Sequence, residues 1–277
     1  MCRMLMFQGK YQEKHWEFFD ALIKAAERDH IFGKYRGKKY EQHPDGWGIV
    51  IIHHDTQRYI IYKSLKPIFE EKEVLKRLLD QVLEQEVSII AHARYAGPFK
   101  KKNIESVHPF SYITDSATTT FVAHNGALSR GFFGKELKLN EIIVENLCDG
   151  HLFTMWIARK WSSLKEALKE LVIKNVVKSA LNVFMIELFS TKTKPILYAI
   201  SYLNEEYLKS KGKTEEQIRV LRDYFRVYYY INEIVIFASS TVVDYILTVS
   251  KNEWKTLKLE GELISISDKG MNIIILR

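Results

Sequence analysis

Between positions 13 and 29 the apolar residues Trp16, Phe19, Leu22, Ile23 and Ala26 recur mostly at steps of three and four, which predicts a helix with one apolar face. Val74, Leu75, Leu78, Leu79, Val82 and Leu83 repeat that pattern in a second helix. Further helical stretches read at about 150–161, 163–175 and 215–225. Runs rich in β-branched and aromatic residues predict strands at 48–53, 58–63, 87–93, 119–124, 181–189, 195–201, 227–231, 234–239, 262–267 and 272–276. Short strands in hairpin-like succession, with helices in blocks between them, indicate an α+β chain with mainly antiparallel sheets. No repeat of 20–50 residues and no low-complexity linker interrupts the order, so 1–277 reads as one domain.

Composition narrows the class. With 47% hydrophobic residues and few Gly or Pro, the chain can bury a large core, which argues against disorder. Its two cysteines, Cys2 and Cys148, are too few for a disulfide framework or a four-thiolate zinc site. No run approaches the ~18 apolar residues of a membrane span, and no apolar signal stretch opens the chain, so the expectation is a cytoplasmic protein with no membrane partner. The net charge of +7 raises the question of nucleic acid, but apart from Lys100-Lys101-Lys102 the lysines are interleaved with Glu, as solvated helix faces are. No nucleic-acid partner is expected.

Candidate chemistry begins at the second residue. If Met1 is removed, Cys2 carries a free α-amine, which titrates near ~7.7–8.0 and can take the proton of its own thiol. Position alone leaves the other reading open, that Cys2 is a buried residue of a first strand. In 43–49, Gly46 and Gly48 flank Trp47 just before an apolar strand, a sign that another backbone comes close. Arg94 ends a strand, where its fork can hold a carboxylate. Asn125-Gly126 reads as a turn after another strand, and offers an amide and an unhindered N–H of the kind an oxyanion hole needs. His53, His54 and Asp55 with His43 and Asp45 form the densest imidazole cluster but lack metal-ligand spacing, so no metal is expected. His92 and His124 read as buried, hydrogen-bonded structural residues, and Cys148 as a small core residue. Tyr228-Tyr229-Tyr230 reads as a core strand rather than a base-stacking platform.

Taken in order, Met-Cys-Arg at the start, Asp45-Gly46-Trp47-Gly48, His92-Ala93-Arg94-Tyr95-Ala96, His108-Pro109-Phe110 and His124-Asn125-Gly126 resemble the class II glutamine amidotransferases of the N-terminal-nucleophile (Ntn) hydrolase superfamily, in particular the stand-alone Met-Cys-Arg group. The motifs cover residues 2 to about 150. The resemblance implies a four-layer αββα sandwich of two mainly antiparallel sheets, with 1–277 as a single type-2 glutaminase domain. It implies Cys2 as nucleophile, Asn125 and Gly126 as oxyanion donors, Arg94 for the glutamine α-carboxylate and Asp149 for the α-ammonium. Asp149 precedes the apolar pattern Leu152, Phe153, Trp156, Ile157, which places it at a helix N-terminus. No cofactor is implied. The reaction implied is release of glutamate and ammonia from glutamine through a thioester. The alternatives are another γ-glutamyl amide as substrate, or an inactive binding or regulatory member of the same fold. An ammonia-accepting synthase on a separate chain and a homo-oligomer are the partners left open. Three features depart from the family pattern: Gly97-Pro98 where many members have Thr, Gly150-His151 after the Asp, and a basic stretch at 100–103.

Overall fold

The computed structural model describes residues 1–97, 102–191 and 193–276; Pro98, Lys100 and Lys101 fall outside them. The strands are β1 (Cys2–Lys10), β2 (Trp47–His53), β3 (Tyr59–Ser64), β4 (Glu86–Arg94), β5 (Phe110–Ile113), β6 (Thr119–Leu128), β7 (Val177–Leu188), β8 (Ile196–Tyr202), β9 (Val227–Ile231), β10 (Val235–Ser239), β11 (Lys255–Thr256), β12 (Glu260–Ser267) and β13 (Gly270–Ile275). The helices are α1 (Trp16–Glu27), α2 (His30–Tyr35), α3 (Lys72–Asp80), α4 (Arg130–Glu136), α5 (Glu141–Asn146), α6 (Asp149–Ala158), α7 (Leu164–Ile173), α8 (Glu205–Ser210), α9 (Glu215–Phe225) and α10 (Ser240–Asp244).

Among the described residues the strands form two antiparallel sheets, ordered β11-β9-β10-β1-β4-β2-β3 and β13-β12-β8-β7-β6-β5. Because side chains alternate along a strand, β1 serves two cores at once. Met4 and Met6 point between the sheets, where they meet Phe121, Ala123 and Phe184 of the second sheet. Leu5 and Phe7 point the other way, onto Phe19 and Leu22 of α1. The second sheet does the same: Val122, Val183 and Met185 turn outward onto Leu152, Phe153 and Leu168 of α6 and α7. The result is helix, sheet, sheet, helix. A fourth cluster, built from Phe32, Leu208, Ile218, Leu221 and Tyr224, brings α2, α8 and α9 together with Met1 packed against it. No helix among the described residues is long and apolar enough to cross a membrane.

One local expectation fails. Asn125-Gly126 is not a turn, because β6 runs through it to Leu128, with a bulge between Gly126 and Leu128. Gly126 has φ of 152°, and a Cβ there would stand 1.8 Å from the carbonyl oxygen of Ala180 on β7. Only glycine keeps the strand going at this point. The consequence is that Asn125 stays on the inner face of the sheet, opposite Asn182.

Candidate active site

Cys2 opens β1 and pairs directly with Arg94, the last residue of β4. Opposed residues share a face of the sheet, and that face is the one carrying Met4 and Met6, so both side chains stand at the mouth of the space between the sheets. Asn125 approaches from the other sheet: its Oδ1 accepts the Cys2 main-chain N–H at 2.9 Å. The NH₂ is the one donor this side chain can offer a reacting group. Tyr224 steadies the same residue from α9 by donating its hydroxyl to the Cys2 carbonyl at 3.2 Å.

The Asp-Gly-Trp-Gly segment is what holds Arg94. The Arg94 N–H donates to Gly46 O at 2.9 Å, the Asp45 N–H donates to Arg94 O at 3.1 Å, and Nη1 reaches the Asp45 carbonyl at 3.3 Å. The Asp45 carboxylate accepts the Ala96 N–H at 2.7 Å and pairs with Lys102 Nζ at 2.5 Å, fixing the chain beyond the arginine. Gly46 can have no side chain, since a Cβ would lie 2.6 Å from Ser64 O.

Asp149 is the first residue of α6, and its Oδ2 accepts the Leu128 N–H at 2.9 Å. A carboxylate at a helix N-terminus is favoured by the backbone dipoles. Cys148 departs from expectation. It is half-exposed rather than in the core, because its Sγ accepts the His151 N–H at 3.4 Å and so caps α6.

Cys2, Arg94, Gly126, Cys148 and Asp149 line a single cavity of about 40 Å³. That is little more than one water's share of liquid volume, ~30 Å³. Met1 forms part of the wall, with its ammonium donating to Tyr95 O at 3.0 Å. Asn125 lies beneath Cys2 rather than on the lining. A wider depression of about 670 Å³, at His54, Asp55, Glu86, Lys194 and Asp268, is lined by no Cys, Ser or Thr.

Burial alone would push the Cys2 thiol up, but the Met1 ammonium and the nearby His92 ring outweigh it and hold the thiol well below its usual range. His124 is buried and directs Nε2 at Ala180 O, 3.4 Å away, as a structural imidazole would. His92 does not follow that expectation: both of its ring nitrogens are buried without a hydrogen bond of ordinary geometry.

A second polar cluster, not anticipated from the sequence, lies on the opposite face of β1. Arg3, fully buried, pairs with Asp29 and stacks over Tyr224 with its guanidinium carbon 3.9 Å from the ring centre. His43 Nε2 lies 2.8 Å from Asp29 Oδ2, while Phe32 N and Thr241 Oγ1 each donate to Oδ1 at 2.9 Å. Despite the cost of burial, Arg3 and His43 keep the Asp29 carboxyl far below the usual range. The histidines once considered for a metal therefore have other partners: His53 bonds Gln85 and His54 bonds Ser88, both at 2.8 Å. Among the described residues no group of three His, Cys, Asp or Glu is placed to hold a metal ion.

No family model matches the sequence, and no curated protein matches it. Its fold, however, is shared with solved enzymes. A structure of the allosteric regulatory enzyme of purine biosynthesis superposes with a TM-score of 0.60 at 14% identity, over 99% of this chain and 49% of that one. The glutamine phosphoribosylpyrophosphate amidotransferase from B. subtilis, solved with ADP and GMP, gives 0.57 at 18% identity, over 100% and 49%. This chain thus spans about half the length of either protein and shares its αββα sandwich of two antiparallel sheets with them.

Proposed function

We propose that the chain hydrolyses the side-chain amide of glutamine, or of a related γ-glutamyl compound, through Cys2. The observation that carries this reading is the convergence at one cavity. Cys2 is tied to Asn125 through its own main-chain nitrogen, is paired in register with Arg94, and faces Asp149.

Each group then has one task. Removal of Met1 frees the Cys2 amine, which keeps Asn125 Oδ1 as its acceptor and takes the thiol proton. It also opens the space that Met1 now fills. Arg94 takes the substrate α-carboxylate with parallel hydrogen bonds, and Asp149 takes the α-ammonium, so the γ-amide carbon is delivered to Sγ. As sulfur bonds to that carbon, the amide oxygen becomes an oxyanion, received by the Asn125 NH₂ and the Gly126 N–H. The Cys2 ammonium returns its proton to the leaving nitrogen, ammonia departs, and a γ-glutamyl thioester remains. Water, deprotonated by the same amine, attacks the thioester carbon; glutamate leaves and the thiol is restored.

We further propose that 1–277 works as a single glutaminase-type domain whose ammonia, where it is used, passes to a synthase on another chain. The test is glutamate release from glutamine and a panel of γ-glutamyl amides, comparing the chain before and after aminopeptidase treatment. Activity confined to the form lacking Met1 supports the reading; equal activity with Met1 retained sinks it.

A further inference from the structure

Two imidazoles beside the nucleophile have no task in that scheme. On β1 and β4, Met4 pairs with His92 as Cys2 pairs with Arg94, so the four share the inner face and His92 is the diagonal neighbour of Cys2. Against His92 lies the ring of His108, with centroids 4.4 Å apart and planes at 36°. All four ring nitrogens of this pair are buried without a hydrogen bond of ordinary geometry. A buried N–H without a partner costs free energy that an apolar ring of the same shape would avoid, so packing alone does not account for the pair.

The chain also gives up two side chains to admit His108. Gly48 stands opposite His92 on β2, and a Cβ there would lie 2.3 Å from the His108 carbonyl oxygen. A Cβ on Gly150, in the first turn of α6, would lie 2.2 Å from His108 Nε2. The second of these explains a departure from the family pattern: the residue after Asp149 is small because an imidazole occupies the space of its side chain.

We propose that His92 donates the hydrogen bond that steadies the Cys2 sulfur in the working enzyme, and that His108, seated on Gly48 and Gly150, is the wedge that holds His92 in place. Both are positioning residues, and the proposal rests on Cys2 being the nucleophile. Burial, reinforced by His92, His124, Lys63 and Arg94, disfavours a proton on His108, so the wedge is a neutral ring that stacks without repelling its neighbour. The other titratable or charged groups around Cys2 are the Met1 ammonium, Arg94, Cys148, Asp149 and His124, with Tyr224 at its carbonyl and His43 on the opposite face of β1. Of these, Arg94 is committed to Asp45, His124 to Ala180, and Tyr224 to the Cys2 carbonyl.

The test is the pH dependence of Cys2 alkylation by iodoacetamide, read at Cys2 by peptide mass so that Cys148 does not contribute. His92→Phe keeps the ring and removes its nitrogens; His92→Gln restores a donor; Gly150→Ala displaces the wedge. The expected result is a midpoint raised by about one pH unit in His92→Phe, a tenfold slowing below it, with partial recovery in His92→Gln and an intermediate shift in Gly150→Ala. A folded His92→Phe that titrates like wild type overturns the proposal. If His92→Phe does not fold, an unshifted Gly150→Ala overturns it. Should the shifts appear while no amide in the panel releases glutamate, the substrate reading fails and this one stands.

Discussion

Successive residues of β1 turn opposite ways, and the two faces treat buried polarity differently. On the face of Arg3, everything converges on Asp29, whose two oxygens receive Arg3, His43, Thr241 and a main-chain N–H. On the face of Cys2, the imidazoles of His92 and His108 lie nearly as deep and make no hydrogen bond of ordinary geometry. A saturated carboxylate is scaffold: it ties the start of β1 to α2, to the loop carrying His43 and to α10. Around Asp29 only Nη2 of Arg3 and Nδ1 of His43 lack a partner, so what sets the Cys2 face apart is a pair of rings, each with both nitrogens unpartnered, beside a thiol.

The contrast breaks first at Asp29. Asp29→Ala strands the Arg3 guanidinium in the interior, and unfolding in urea should show a loss of about 3–5 kcal/mol whatever the substrate. A stability within 1 kcal/mol of wild type, roughly the worth of an exposed pair, would mean that this face is not the anchor. On the other face the expected effect is on rate rather than stability. Asn125→Ala should slow glutamate release ~10²–10³-fold, about 2.7–4 kcal/mol in the barrier, with a smaller change in the urea midpoint. A rate loss under tenfold would remove Asn125 from the oxyanion role.

The buried imidazoles and the buried carboxylate should also separate by pH. Burial lowers the proton affinity of His43, His108 and His124 below the unfolded value of ~6.5, with Arg3 adding at His43 and His92 at His108. As pH falls below about 6.5 the unfolded chain takes up protons that these rings refuse, so stability is full above that point and declines beneath it. The slope is up to about 1.4 kcal/mol per pH unit for each ring that stays neutral. Asp29 acts later: its carboxyl is depressed, so its share is intact above ~3.9 and is lost only as pH falls further. Thermal melting between pH 7 and 3 should show these two phases, and a flat profile from 7 to 5 would contradict the burial of the imidazoles.

Much of this was legible in the sequence. The pattern of Trp16, Phe19, Leu22, Ile23 and Ala26 located α1 within a few residues, and the apolar runs located most strands of both sheets, but not β1 at the middle of the seven-stranded one, whose residues include no β-branched side chain. The two glycines around Trp47 signalled close backbone approach, and the structure shows it at Ser64 and His108. Short elements such as α2, α5 and α10 were not legible, since five or six residues carry less than two helical turns of pattern. Asn125-Gly126 was misread as a turn because that pair is ambiguous locally; only the carbonyl of Ala180, 54 residues on, decides it. Asp29 gave no signal at all: a carboxylate between two helices looks like surface until Arg3, His43 and Thr241 are brought onto it. Cys148 was placed in the core on residue type, and it was its position as a helix cap that exposed it.

The central claim is that Cys2 is a nucleophile awaiting its own amine, and the most direct measurement is intact mass paired with glutamate release, for wild type and Cys2→Ala. The account predicts that the active species lacks Met1 and that Cys2→Ala, equally folded, releases no glutamate. An active chain that still carries Met1, or a Cys2→Ala variant as active as wild type, would contradict it.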